Sequence, residues 1–215
     1  ELKEEDYLLL IKNTIKEHKR IIFNGDGYDE AWVKEAEKRG LYNFKTTPDA
    51  LAHMLDEKNV TLFTSHNVYS KTELVARHEV LLENYCKIIN IEALTMLDMA
   101  RKDILPAMSE YSATLARDAA AKTSFDPDAD CTYEKENIKN LCALIGACNR
   151  AVKKTEQDLI SAKSITDGAE LAEFYKSTII DDMKAIRIPA DEMETIASSE
   201  KWPYPSYGEL LFGIR

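Results

Sequence analysis

Three side chains near the middle of the chain, His78, Glu79 and Glu83, are of the types that bind metals or move protons. A di-metal centre inside a helical bundle requires a Glu-x-x-His pair on two helices and inward carboxylates on two more. None of the histidines follows a glutamate at that spacing; the others are His18, His53 and His66. The pattern therefore favours a solvated or interfacial stripe in which Glu83 pairs with Lys87 one turn on. A phosphoacceptor role for His78 is the alternative, and it requires an exposed imidazole.

A second candidate is the turn at residues 24–27, which reads Asn-Gly-Asp-Gly. Glycine adopts positive φ without steric cost, so we expect Gly25 and Gly27 to supply positive φ in a tight turn before a helix. The alternative is an anion-binding nest formed by free backbone amides in the same turn.

Other patterns that carry chemistry are absent from the sequence. It contains no phosphate-binding loop, dinucleotide fingerprint, Ser-His-Asp or Cys-His arrangement. The cysteines form no Cys-x-x-Cys pair and match no zinc-ligand spacing, which predicts ordinary reduced thiols. These cysteines are Cys86, Cys131, Cys142 and Cys148. We therefore assign no catalytic, cofactor-binding or metal-binding residue to this chain.

The composition predicts a folded, helix-rich protein. The 215 residues are enough for one domain, or for a domain with a small appendage. A formal net charge of −10 argues against nucleic acid and against an anionic membrane surface as partners. The sequence has no signal peptide and no apolar run of about 18 residues, so we expect a cytoplasmic protein. The absence of an initial Met predicts a trimmed or processed piece.

The first third of the chain is predicted to contain short elements separated by turns. The expected elements are a helix over Glu4–Glu17, a helix that begins at Tyr28 or Asp29 and ends at Gly40, a helix from Pro48 to about Glu57 capped by Thr47, and a strand or extended connector at Val60–Phe63.

The rest of the chain is predicted to be helical. A capping box at Ser70 and Glu73 begins a long helix, and Pro106 predicts a kink or break near Asp103–Leu105. Further helices are expected from about Thr132 to Ala162, from Ile165 or Asp167 to Ala185, and, after a break at Pro189, over Ala190–Ala197. The apolar tail Trp202–Phe212 is expected to dock on another surface.

These elements predict a mainly α fold. Long helices joined by short loops form an antiparallel bundle, here kinked near Pro106, with a small N-terminal helical and extended subregion. We place the boundary between residues 66 and 67, so that residues 67–215 form the helical bundle with its docked tail.

The long helix after Ser70 is apolar over an unusually wide arc around Ile88–Leu97, and a helix of this kind packs on two neighbours. The favoured interpretation is complete burial within this chain's own bundle; the alternative is a neighbour outside the chain. We expect Asn90, Glu92 and Arg101 to lie at contacts. Met96, Met99 and Met108 are predicted to fill the core, and a hydrophobic ligand pocket is the less favoured alternative.

Three stretches of this sequence resemble the C-terminal region of type III glutamine synthetases. They are Arg77–Ala107 (RHEVLLENYCKIINIEALTMLDMARKDILPA), Ile21–Leu41 (IIFNGDGYDEAWVKEAEKRGL) and Trp202–Phe212 (WPYPSYGELLF). Residues 24–29 are similar to the glutamate-binding Asn-Gly-x-Gly-x-His loop of glutamine synthetases, but Asp29 stands in the histidine position.

The resemblance implies a non-catalytic segment, because the family's ATP-, metal- and glutamate-binding residues belong to an upstream catalytic domain. Residues 1–66 would then be the tail end of that domain, or a linker from it. The parent reaction joins ammonia to L-glutamate with ATP and Mg²⁺ or Mn²⁺. The implied partners are the catalytic domain of the same chain and other subunits of a homo-oligomer, which suggests a role in assembly or regulation.

Two other functions are weighed against this one. The first is an autonomous helical interaction or regulatory module without ligase activity. The second, a metal-dependent helical oxidoreductase, is disfavoured because the required ligand set is missing.

Overall fold

The computed structural model describes residues 4–213, and the chain divides into two compact units between Lys45 and Thr46. Helices form both units, and no β-strand occurs among residues 4–213. The predicted mainly α class is confirmed, and the long helices of the second unit pack together as a bundle.

Among its described residues, the first unit contains the α-helices α1 (Glu4–Glu17) and α2 (Glu30–Lys38), which confirm the two predicted there. Asp29 is the N-cap of α2, and its Oδ1 accepts a hydrogen bond from the amide of Ala31 at 3.2 Å. Gly40, at φ +78°, follows the end of α2, where glycine is favoured because it has no Cβ.

The second unit begins with two short helices, α3 (Thr47–Leu51) and α4 (Glu57–Ser65), and both differ from the prediction. The cap of α3 is Thr46 rather than Thr47, and α3 ends at Leu51 rather than near Glu57. The predicted strand or connector at Val60–Phe63 is wrong, because these residues lie inside α4. Val60 and Phe63 are both half-buried, and their three-residue spacing places them on the same side of a helix. They can therefore pack together without a partner strand.

The longest continuous element joins α5 (Lys71–Met99), a π turn (Ala100–Ile104) and α6 (Leu105–Phe125). The predicted capping box is confirmed, since the Ser70 amide donates to Glu73 Oε2 at 2.7 Å and the Glu73 amide donates to Ser70 Oγ at 3.2 Å. The π turn ends two residues before Pro106, close to the predicted irregularity. Proline has no N–H, so the helix changes its hydrogen-bond register there and continues instead of ending.

Helix α7 (Thr132–Ala162) has the predicted bounds. After it, α8 (Gly168–Phe174), a π turn (Tyr175–Ile179) and α9 (Ile180–Ile196) form one continuous helical segment. The predicted break at Pro189 is wrong, since α9 passes through it. Pro189 is buried beside Ala190 and Met193, and this packing offsets the backbone hydrogen bond that proline removes.

The core of the second unit lies where α7 packs against α6 and α9, with α5 contacting α3, α4 and α8. Met108 is fully buried and Met96 is partly buried, as predicted, whereas Met99 is exposed, so its assignment to the core is wrong. The largest fully buried side chains are Leu74, Met108, Leu141, Ile179, Ile186 and Met193. All four cysteines are free thiols.

The contacts of α3 explain why the two compact units do not divide at the predicted position. Helix α3 packs on α5 and α8, and Lys176 Nζ lies 2.6 Å from Asp49 Oδ1. Residues 46–66 are therefore grouped with the bundle, whereas the predicted boundary lies between residues 66 and 67. The role of residues 1–66 as the tail end of a catalytic domain, or a linker from it, stays a prediction.

The apolar tail docks only in its first half. Trp202 and Tyr204 pack against the core, and the Tyr204 hydroxyl donates to Asp103 Oδ2 at 2.8 Å. Helix α10 (Tyr207–Phe212) follows, and its large apolar side chains are exposed. Docking is therefore observed for Trp202 and Tyr204, and docking of α10 on another surface stays a prediction. No helix within residues 4–213 is both long enough and apolar enough to cross a lipid bilayer.

The capping box of α5 predicts a measurable loss when its hydroxyl is removed. Ser70→Ala leaves the Glu73 amide without its acceptor, so we expect the free energy of unfolding to fall by about 1 kcal/mol in urea denaturation. Ser109→Ala, at an exposed position inside α6, is the matched control and should change the stability little. Equal effects of the two substitutions would contradict the role of the cap.

The ion pair between α6 and α7 predicts a pH-dependent stability. Lys122 Nζ lies 2.5 Å from Glu134 Oε1, and this hydrogen bond holds the pKa of the buried Glu134 carboxyl below its usual value. A lowered folded-state pKa stabilises the fold above the unfolded-state pKa, and the effect is lost as pH falls through the folded-state pKa.

Glu134→Gln should therefore lower the urea midpoint at pH 7. The difference in midpoint between the variant and the unsubstituted chain should shrink as the pH falls from the unfolded-state pKa of Glu134 through its folded-state pKa. Glu136→Gln, on the exposed side of α7, is the control and should show no such trend. A pH-independent effect of Glu134→Gln would exclude the ion pair as its cause.

Candidate functional site

The side chains singled out first in the sequence, His78, Glu79 and Glu83, line one open cavity of about 760 Å³ in the bundle. Helix α5 forms one wall, and the segment from the end of α7 to the start of α8 forms the other. Two lysines and an acidic cap residue also line the cavity; these are Lys87, Lys163 and Asp167.

Two charged residues on the α5 side of this cavity pair with each other. Glu83 Oε1 lies 2.6 Å from Lys87 Nζ, and both side chains are exposed, which confirms the predicted solvated pair. His78 is half-buried at the cavity edge. Its role as a phosphoacceptor stays a prediction.

The opposite wall is held by structural hydrogen bonds. Asp167 Oδ1 accepts from the amides of Ala169 at 3.0 Å and Glu170 at 2.8 Å, so the start of α8 is already capped by its own carboxylate. The Tyr175 hydroxyl donates to Asn90 Oδ1 at 3.1 Å, which confirms Asn90 as a contact residue. Burial raises the pKa of Tyr175, so this phenol stays protonated at neutral pH.

The chemistry of this cavity is that of a polar cleft with mixed charges. Cys86 lines it, but burial raises the pKa of its thiol, which disfavours the reactive thiolate. Among residues 4–213, no group of three or more His, Cys, Asp or Glu side chains is placed to hold a metal ion.

In the turn at residues 24–27, the glycines do not have the positive φ that was predicted for them. Neither Gly25 nor Gly27 has positive φ; among the glycines that the structure describes, only Gly40 does. A Cβ on Gly25 would lie 2.6 Å from Cζ of Phe23, so close approach of this ring is the constraint on Gly25. Nothing lies within 4 Å of the corresponding position on Gly27.

The acidic residues around this turn serve its local structure. Asp26 Oδ1 accepts from the amide of Tyr28 at 2.9 Å, and Asp29 caps α2. The turn presents a small aromatic cluster in which the rings of Phe23 and Trp32 lie 4.6 Å apart between centroids.

The arc of α5 that was expected to be buried within this chain's own bundle is instead partly exposed. Its inner side is buried, but large apolar side chains on its outer side remain accessible, and that interpretation is therefore wrong. These exposed residues are Leu81, Ile88, Ile91, Leu94 and Met99. Of the other predicted contact residues, Arg101 pairs with Glu156 of α7, whereas Glu92 forms no ion pair within the described part of the chain.

Sequence reasoning missed an apolar groove of about 560 Å³ between α5, α9 and the tail. Met96 and Met183 line it, and Trp202 and Tyr204 lie along one side. The apolar tail was the available signal. Locating the groove also requires knowing which residues of α5 and α9 face each other. Helical periodicity alone does not give this.

The contrast between the two turn glycines predicts different effects of the same substitution. Gly25→Ala should displace the Phe23 ring from Trp32, while Gly27→Ala should leave the cluster intact because the added methyl meets no atom. The measurement is the emission spectrum of Trp32 in a Trp202→Phe background, which removes the only other tryptophan. Identical spectra for both alanine variants would contradict the packing described for Gly25.

Comparison with known proteins identifies the family. Residues 6–123 match the family described as glutamine synthetase C-terminal domain. The glutamine synthetase of Butyrivibrio fibrisolvens is 39% identical over 215 residues, covering 100% of this chain and 31% of that protein.

Two further relatives show the same partial coverage. The type-3 glutamine synthetase of Dictyostelium discoideum is 33% identical, covering 94% of this chain and 28% of that protein. The glutamine synthetase of Bacteroides fragilis (strain YCH46) is 30% identical, covering 98% of this chain and 29% of that protein. The chain thus spans less than a third of the length of these relatives. It belongs to the glutamine synthetase C-terminal domain family.

Proposed function

We propose that this chain is the C-terminal, non-catalytic helical segment of a glutamine synthetase subunit and that it serves assembly or regulation. One observation carries the proposal: relatives named glutamine synthetase match nearly all of this chain but less than a third of their own length. The helical bundle supplies a rigid body suited to a supporting role, and its outer surfaces retain large exposed apolar side chains.

The proposed parent reaction is the ATP-dependent ligation of ammonia to L-glutamate, which assimilates nitrogen into glutamine. In this proposal ATP and Mg²⁺ or Mn²⁺ bind to a catalytic domain that precedes this chain, and the whole protein acts in the cytoplasm as a homo-oligomer.

The arrangement of residues 24–29 supports the non-catalytic assignment. In this stretch, which resembles a glutamate-binding loop, Asp29 occupies the histidine position and is engaged as the cap of α2. Asp26 is engaged with the Tyr28 amide. These acidic side chains serve the local backbone.

An autonomous helical module without ligase activity is the second candidate. It is favoured by the continuous hydrophobic core of the second unit, which a self-sufficient domain requires. The open reading frame upstream of Glu1 distinguishes the two candidates. About three domains' worth of preceding sequence, roughly 450 residues, with a catalytic domain favours the first; a start codon near Glu1 favours the second.

The proposed division of labour is tested by assaying two proteins side by side. The 215-residue chain, given glutamate, ammonia, ATP and Mg²⁺, should form no glutamine, while the full-length protein should form it under the same conditions. Glutamine formation by the chain alone at a rate comparable with the full-length protein would overturn the non-catalytic assignment. Failure of the full-length protein to form glutamine would favour the autonomous module.

A further inference from the structure

The outer face of α5 is defined as Leu81, Ile88, Ile91, Leu94 and Met99, which are exposed large apolar side chains. The exposed ion pairs Glu83–Lys87 and Asp98–Lys102 lie among them. Ile88 and Ile91 are 55% and 62% exposed, and their three-residue spacing places them on one side of the helix. Several large apolar side chains exposed on one helix mark a contact with another polypeptide more often than a single exposed residue does.

The outer face of α5 continues into the groove between α5 and α9. Ile91 and Met99 belong to both, and Met96 and Met183 lie deeper in the groove. Trp202 and Tyr204 line the side formed by the tail, where the hydrogen bond from Tyr204 to Asp103 holds the tail in place. The groove is therefore formed before any partner binds, which lowers the entropic cost of docking an apolar segment.

The charges around the groove define the partner further. Its polar lining contains three carboxylates, Glu92, Asp191 and Glu194, and one cation, Arg187. Arg187 Nε lies 3.0 Å from Asp191 Oδ2, while Glu92 and Glu194 form no ion pair within residues 4–213. The lining is thus acidic, and the whole chain carries a net charge of −10.

A second copy of the same face is a poor occupant for this surface. A two-fold contact places the same patch of each copy against itself, which would bring the acidic linings together. Like charges across an interface cost binding energy, whereas a segment carrying Lys or Arg beside its apolar residues complements both properties of the groove.

We propose that the outer face of α5 and the adjoining groove dock an apolar, Lys- or Arg-bearing segment of the polypeptide that precedes this chain in the full-length glutamine synthetase. This rests on the proposed function. The occupant is indicated by the acidic lining, together with the more than two thirds of each relative that lies outside the matched region.

Thiol labelling compares the surface in the short and the full-length protein. In a Cys142→Ser background, which removes the one exposed native thiol, Ile91→Cys is labelled with a maleimide. Ile188→Cys is the matched control, since Ile188 is 66% exposed on α9 and does not line the groove. Ile88→Cys repeats the test at a second position, in case a cysteine at residue 91 impairs docking.

In the 215-residue chain, Ile91→Cys and Ile188→Cys should react at similar rates. In the full-length protein, Ile91→Cys should react at least about tenfold more slowly while Ile188→Cys stays reactive, because a covered thiol is inaccessible to the reagent. Equal reactivity at both positions in the full-length protein overturns the proposal. Protection in the short chain that grows with protein concentration identifies a second copy and also overturns it.

Glutamine formation by the same full-length proteins separates the two proposals. A full-length protein that makes glutamine while Ile91→Cys and Ile88→Cys stay reactive overturns only the docking surface. A full-length protein without ligase activity overturns the proposed function and, with it, the named occupant.

Charge reversal tests the role of the acidic lining. Glu92→Lys combined with Glu194→Lys should raise the labelling rate of Ile91→Cys in the full-length protein, because a basic segment would then be repelled. Glu192→Lys, on α9 but outside the groove, is the control and should leave that rate unchanged. Continued full protection in the doubly reversed protein contradicts a Lys- or Arg-bearing partner.

Discussion

One helix carries apolar side chains on two faces, and the arrangement of the second unit follows from that constraint. The inner face of α5 buries Leu74, Leu82, Ile89, Ala93 and Leu97 against the bundle. Burial of a large aliphatic side chain stabilises a fold by about 1.5–3 kcal/mol, so this face fixes how α5 packs. The opposite face is only partly covered within residues 4–213, so the helix that contributes to the core also exposes large apolar side chains.

Polar contacts across the helices complement this packing. Lys154 of α7 contacts both Asp158, at 2.7 Å, and Asp182 of α9, at 2.5 Å. Burial raises the pKa of Asp182, and its Oδ2 has no hydrogen-bond partner in the described structure. Burying a charge costs desolvation energy, so this contact fixes the register of α7 against α9 more than it stabilises the fold.

The long helices were predictable because their signals are local. The capping box at Ser70 and the periodic apolar pattern of α7 depend on neighbours within a few residues. The errors arose where tertiary packing decides. Pro189 is tolerated because burial offsets its cost, and Gly25 is constrained by the Phe23 ring rather than by its own φ. Predicting the groove beside Trp202 would have required the relative positions of α5, α9 and the tail. No local sequence pattern gives these positions.

The proposed docking makes the outer face of α5 an interior surface of the full-length protein. An experimental structure of the full-length protein is the most direct test of this claim. It should show Ile88 and Ile91 covered by residues that precede this chain, with basic side chains near Glu92 and Glu194. A structure in which Ile88 and Ile91 stay in contact with solvent would contradict the account.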